Sequence, residues 1–301
     1  MRIVLVEGFP GAGKSTTAQW LALEWQRQGV PCRWIYEQQP DHPVSRPAPA
    51  GGWGPTWKDW SDERLGHWKT FVATAGPLTV LESAALQHPI FAMLRRDAPA
   101  ATILAHARRI ADAVRALDAR LVYLRVADPE RAYRAITARR GTGWIEAAVT
   151  TYRGLDFAVR TGLDGFDLLL AYWRAHHEVL EAAVPALGLP TLVVDQSTDD
   201  WPAWRRHIAA FLGLRPVDAP PAQPPDLARY VGRYQVRWRE RDLECTVRID
   251  AGGLVLDGVL WPANRLLWKS GDTFRAEAWP YEVVFPATGT PGARLMLNLD
   301  V

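Results

Sequence analysis

The stretch "VEGFPGAGKSTTAQW", residues 6–20, decides the fold. Gly8, Gly13, Lys14 and Ser15 stand in the spacing G-x-x-x-x-G-K-S, the pattern of a phosphate-binding P-loop (Walker A). A chance match in a chain this long has a probability of about one in a hundred from average residue usage. The flanks agree with the motif. RIVLVE ahead of it reads as a buried strand, and STTAQWLALEWQRQG behind it reads as a helix. In that arrangement main-chain N–H groups curl round phosphate oxygens at a helix N-terminus, whose dipole end is positive. Glycines are needed because a Cβ would obstruct the close approach or the dihedrals. Gly8, Pro10, Gly11, Ala12, Gly13, Lys14, Ser15 and Thr16 are therefore the candidate nucleotide-binding residues. Lys14 would reach the β- and γ-phosphates, and the Ser15 hydroxyl would ligate Mg²⁺. The expected cofactors are ATP, or another purine nucleoside triphosphate, and Mg²⁺.

Working outward, apolar runs alternate with helical patterns as far as residue 213. RIVLVE (2–7), CRWIYE (32–37), LTVLE (78–82), RLVYLRV (120–126) and TLVVD (191–195) read as strands. Helical periodicity fills 14–28, 61–75, 101–117, 129–139, 145–186 with breaks, and 200–212. This alternation predicts an α/β fold, a parallel sheet with helices on both faces. Residues 38–60, rich in Pro, Gly and Trp, read as a long functional loop. LRPVDAPPAQPPDL (214–227) reads as a proline-stiffened linker, set at 214–226. Beyond it come short alternating runs: YVGRYQVRW, LECTVRID, GLVLDG, NRLLWKS, TFRAEAW, YEVVFPA and ARLMLNLDV. They predict a second, all-β domain over 227–301, an antiparallel barrel or sandwich. Its Trp238, Trp261, Trp268 and Trp279 are expected to pack a core.

The bulk composition narrows the function classes. Lys+Arg number 35 against 33 Asp+Glu in 301 residues, so overall charge gives no reason to expect nucleic acid or an anionic membrane. Cys32 and Cys245 are too few for a disulfide framework or a zinc site. With no apolar run of about 18 residues and no room for a signal peptide ahead of the glycine loop, a cytoplasmic location is expected.

EGFPGAGKSTTA, with a following strand ending in Glu37, resembles the nucleoside and thymidylate kinase branch of P-loop proteins. LTVLES ends a third strand in an acid, Glu82, as that branch does. VADPERAYRAITARRGTGW (126–144) is similar to its arginine-bearing lid, placed here at about 134–145. The resemblance covers 1–213. The whole pattern, with Glu37 followed by DHP at 41–43, is also similar to a group of uncharacterised bacterial P-loop proteins. One departure stands out: Glu82-Ser83-Ala84 replaces the Glu-Arg-Ser or Asp-Arg of that branch.

Phosphoryl transfer needs charge neutralisation and in-line placement of an acceptor. The candidates for catalysis are Lys14, Glu37 as base, and Arg139 or Arg140, with Arg134 beside them; a solvated strand-end glutamate would read the same as Glu37. Glu82 would hold Mg²⁺ through water. His42 after Asp41, together with Trp57 and Trp60, is the candidate acceptor site in the 38–70 segment. The tryptophans Trp53, Trp57, Trp60 and Trp68 could equally form a small satellite core. The expected activity is transfer of the γ-phosphoryl of MgATP to a small molecule: a nucleoside, nucleotide, sugar or antibiotic. The alternative is an NTPase switch acting on a macromolecule through the β domain.

Overall fold

The computed structural model describes residues 2–39, 42–45, 56–74, 76, 78–196, 198, 200–215, 226–238, 241–259, 263–286 and 294–299. Asp41, Trp53, Trp261 and most of the expected linker lie outside the described residues. The chain divides into two compact units, Met1–Pro216 and Val217–Val301.

The first unit is an α/β P-loop fold. Its strands β1 (Arg2–Gly8), β2 (Arg33–Ile35), β3 (Leu78–Glu82), β4 (Ala119–Arg125) and β5 (Thr191–Asp195) form one parallel sheet in the order β2-β3-β1-β4-β5. Successive strand residues point to opposite faces, and both faces are apolar. Ile3, Leu5, Leu81, Leu121 and Tyr123 point one way. There they meet the side carrying α2 (Trp57–Thr74), α3 (Gln87–Leu94), α4 (Ala100–Val114), α6 (Thr142–Arg153), α7 (Asp156–Thr161) and α8 (Gly165–Ala186). Val4, Val6, Val80, Val122, Leu124 and Val194 point the other way, against α1 (Lys14–Arg27) and α9 (Trp201–Leu212). The remaining helix, α5 (Pro129–Arg140), begins at Asp128, whose carboxylate accepts from the Arg131 N–H at 2.9 Å.

Two differences from the sequence pattern bear on the site. The second strand stops at Ile35, so Glu37 sits in the turn after it. Helix α3 is absent from the sequence-derived assignment because its eight residues are almost all apolar and include Pro89, which hides helical periodicity.

The second unit is a closed seven-stranded barrel in the order β10-β11-β12-β6-β7-β8-β9. Its strands are β6 (Gly232–Trp238), β7 (Arg241–Asp250), β8 (Gly253–Asp257), β9 (Asn264–Ser270), β10 (Thr273–Ala276), β11 (Tyr281–Val284) and β12 (Arg294–Leu299). All described pairings are antiparallel except β12 with β6, which is parallel and closes the ring. Tyr230, Tyr234, Phe274 and Phe285 fill the interior, with ring centroids 4.7–5.5 Å apart. The tryptophans expected to pack there divide: Trp279 is buried, whereas Trp238 and Trp268 are half-buried.

Candidate active site

The glycine loop occupies the turn between β1 and α1. Gly11 and Gly13 have φ of 80° and 78°, in the left-handed region that favours glycine. A Cβ on Gly11 would meet Ile136 Cδ1 at 2.5 Å, and one on Gly13 would meet Trp201 at 2.4 Å. The loop thus lies under one side chain from α5 and one from α9. Lys14 is buried and donates from Nζ to the Phe9 carbonyl at 3.0 Å. The Gln196 side-chain amide donates to the Ala12 carbonyl. No side chain caps the start of α1. The orphan N–H groups of its first turn, at Lys14, Ser15 and Thr16, are therefore left to an incoming anion.

Three glutamates gather around Lys14. Glu82, at the end of β3, is fully buried; its Oε1 accepts from the Ser15 hydroxyl at 2.9 Å and from the Glu37 backbone N–H at 3.4 Å. Its Oε2 accepts from Trp34 Nε1 at 3.2 Å. Burial, and then the neighbouring Glu37, push the Glu82 carboxyl well above the ordinary range. Glu37 is also raised by burial, while Lys14, the Ser83 hydroxyl and Arg140 pull it back. Lys14 is lowered by burial and supported by Glu37, Glu82 and Glu7. A divalent cation takes oxygen ligands and favours ionised carboxylates. A hydroxyl and a buried carboxylate side by side are oxygen donors of the kind Mg²⁺ takes.

Glu7, directly before the first motif glycine, is not among the candidates that the sequence marks. It is fully buried, and its carboxylate accepts from the N–H groups of Ala85 at 2.7 Å, Leu86 at 3.1 Å and Gln87 at 3.0 Å. The strand that delivers the glycine loop therefore also caps the start of α3. Burial still raises the Glu7 carboxyl to about 7. Ser83, between Glu82 and this helix, has a φ of 58° and donates its backbone N–H to the Val6 carbonyl at 3.0 Å. A non-glycine residue held in that region stores strain of the kind that collects at working sites. The only signal in the sequence was an acid directly before the first motif glycine, too common to be decisive.

The three arginines of the expected lid take different places. Arg134 is exposed and bonded to Glu130 at 2.9 Å on its own helix. Arg139 is exposed. Arg140 is half-buried, with its guanidinium 4.5 Å from the Trp144 ring centroid. Burial lowers Arg140 to about 10 against the supporting charges of Tyr133, Glu37 and Tyr36. Arg140 is thus the one of the three that the structure brings towards Glu37 and Lys14.

The expected acceptor residues are less tightly gathered. His42 is fully buried, and its Nδ1 accepts from the N–H groups of Val44 at 3.1 Å and Ser45 at 2.8 Å. Burial pushes this imidazole down to about 3, so it is neutral and organises its own turn. Trp60 is buried in the core against His106, with centroids 5.5 Å apart, and Trp68 is buried beside Phe71. Trp57 is half-buried on the same core.

A second aromatic group, unnoticed in the sequence, adjoins the glycine loop itself. Phe9 meets Trp173 of α8 at 5.8 Å, and Trp173 meets Phe91 of α3 and Tyr133 of α5, each at 5.7 Å. These four rings stand 40 to 82 residues apart along the chain from one to the next, so no local spacing could reveal them.

No family model matches the chain, and no curated protein matches it. Solved structures similar to it include the YorR protein of Bacillus subtilis in complex with phosphorylated GDP. That pair shows 16% identity over 69% of this chain and 94% of the other, with a TM-score of 0.42. A sugar kinase from Janibacter sp. HTCC2649 shows 18% identity over 72% and 96%, with a TM-score of 0.37. A eukaryotic dimethylallyltransferase acting on tRNA shows 13% identity over 72% and 81%, with a TM-score of 0.31. Among the described residues, no helix is long and apolar enough to cross a membrane.

Proposed function

We propose that the first unit is an ATP-dependent phosphotransferase that moves the γ-phosphoryl of MgATP to a hydroxyl or phosphate of a small molecule. The observation that carries this reading is the convergence of Lys14, Ser15, Glu82, Glu37 and Arg140 beyond the carboxyl ends of β1, β2 and β3. Ligands of open parallel sheets gather there. The residues from Gly8 to Thr16 hold the triphosphate, and Lys14 neutralises its terminal groups. Ser15 and Glu82 hold Mg²⁺, the carboxylate acting through water. The metal supplies charge neutralisation for the transferred group.

Glu37 is the proposed general base for the acceptor. Burial raises its affinity for a proton, which suits removal of a hydroxyl proton during transfer. Arg140, whose charge acts on both Glu37 and Lys14, neutralises charge spreading over the phosphoryl oxygens. A hydrolytic switch needs a placed water in the position that Glu37 would give to an acceptor; two acids and an arginine around one point suit transfer.

The test is ATP consumption by the purified chain with Mg²⁺ and a metabolite library. Slow ATP loss that rises when one small molecule is added supports transfer. Steady loss that responds only to a macromolecule contradicts it.

A further inference from the structure

Resting on that phosphotransferase reading, we propose that Trp34 is a positioning residue that sets the choice of metal. Its indole N–H holds one oxygen of the Glu82 carboxylate. The carboxylate then offers only its other oxygen to the cation, and the site favours Mg²⁺ over Ca²⁺.

The alternation of two neighbouring strands brings the pair together. Leu78 and Val80 of β3 belong to the apolar group packed on α1, and Glu82, two residues further on, shares their face. Trp34 lies opposite Val80 on β2 and packs against the same group. The indole therefore stands diagonally across from Glu82, and its Nε1 donates to Oε2 at 3.2 Å. Tyr36 meets the indole edge-on, with centroids 5.8 Å apart and 77° between planes, so the ring is packed as well as bonded.

The two oxygens of Glu82 are then committed differently. Oε1 accepts from the Ser15 hydroxyl at 2.9 Å and, at the longer distance of 3.4 Å, from the Glu37 N–H. Ser15 gives its one hydroxyl hydrogen to Oε1, so the lone pairs of its Oγ stay open to a cation. Oε2 is answered by the indole instead. An indole N–H donates, cannot accept, and carries no charge. A lysine or arginine in its place would answer the same oxygen but repel a cation held beside it. Trp34 answers the oxygen without that repulsion.

The consequence is a preference between metals. Ca²⁺ collects about six to eight oxygen ligands and readily takes both oxygens of one carboxylate. Mg²⁺ is smaller, keeps several waters and calls on few carboxylate oxygens. A carboxylate with one oxygen tied to an indole cannot serve Ca²⁺ with both, whereas Oε1 still serves hydrated Mg²⁺. Removing an outer partner that orients a metal-binding group in this way typically changes metal affinity or activity by about 10–100-fold. The pair is invisible in the sequence, since 48 residues separate Trp34 from Glu82 and Trp34 reads as one more strand aromatic.

The experiment uses the full chain. Calorimetry measures its affinity for the magnesium and the calcium complexes of the β,γ-imido analogue of ATP, which is not turned over. NMR follows the indole N–H resonances of the nucleotide-free chain. The unmodified chain should bind the magnesium complex more tightly than the calcium complex. Trp34→Phe keeps an aromatic ring and removes the donor, and it should lower that ratio about tenfold. In a Glu82→Gln background the same substitution should leave the ratio where it stands, because the carboxylate through which Trp34 acts is gone. The indole resonance missing from Trp34→Phe should be the one that Glu82→Gln shifts most, since the bond loses its charged acceptor. Equal binding of the two complexes by the unmodified chain would overturn the proposal. So would an unchanged ratio in folded Trp34→Phe, or a ratio lowered equally in both backgrounds, which would make Trp34 a packing residue. A Glu82→Gln chain that moves no indole resonance would overturn it as well, and that reading holds even if Trp34→Phe does not fold. Failure of the unmodified chain to bind either complex would instead strike the phosphotransferase reading, whereas a lost or absent metal preference is seen only with nucleotide binding intact.

Discussion

The two units bury different kinds of side chain. The barrel interior is built from Tyr230, Tyr234, Phe274, Phe285 and aliphatic residues, and among the described residues its only buried polar side chain is Asn264. The first unit buries Glu7, Lys14, Glu82, His42, Arg64, His106 and His176, most of them within or next to the proposed site. Removing a charge from water is costly unless partners replace the solvent. A fold that needed only stability would resemble the barrel. The difference teaches where chemistry would be looked for: the proposed function places it in the polar interior of the first unit.

The sharpest way to break this contrast is at Glu37. Glu37→Gln keeps the shape of the side chain and removes its basicity. Transfer should fall by about 10²–10⁴-fold with MgATP affinity retained. A turnover close to that of the unmodified chain would return Glu37 to the role of a solvated turn residue.

Next comes a core substitution in each unit. Phe274→Ala empties the middle of the barrel and should destabilise that unit by about 3–5 kcal/mol. ATP binding should be untouched, as judged by calorimetry below the melting temperature. Trp60→Ala should destabilise the first unit by a similar amount. If Trp60→Ala instead leaves the unfolding midpoint in place and weakens a substrate, Trp60 contacts the acceptor.

A smaller effect concerns pH. Four imidazoles of the first unit, His42, His88, His106 and His176, have pKa values pushed down to about 3 or 4 by burial. The unfolded chain binds protons on them first, so stability falls as pH drops from about 6.5 towards about 4. Glu7 runs the other way. Its pKa is raised to about 7, so the folded chain holds the extra proton between about 4.5 and 7, and stability rises there on acidification. Glu7→Gln removes the opposing contribution. Denaturant unfolding at pH 7 and pH 5 should therefore show a steeper acid loss in the variant; an equal or shallower loss would mean that Glu7 is ionised throughout.

Much of this architecture was legible in the sequence. Both faces of the sheet are covered, so its strands are short unbroken apolar runs, and the alternating runs after residue 226 foretold an antiparallel barrel or sandwich, of which the structure shows a barrel closed by one parallel pairing. The glycine loop was legible because its chemistry is local: eight residues carry the whole motif. Arg140 and Glu82 were reachable from strand and lid positions. The surroundings of Glu7, Ser83, Trp173 and Tyr133 were not, because each finds its partners far along the chain. Glu7 reads as any strand residue until α3 is placed on it, and α3 hides behind Pro89 and a run of apolar side chains. Trp60 and Trp68 lie in the core of the first unit, one of the two roles that their crowding left open, and Trp173, alone in sequence, packs into the same core beside the loop.

The most direct test of the central claim is calorimetric titration of the full chain with MgATP, run beside Lys14→Ala. The account predicts uptake of one purine nucleotide by the unmodified chain, weakened at least about a hundredfold when the ammonium is removed. Absence of any uptake by folded protein, or equal uptake by both, would contradict it.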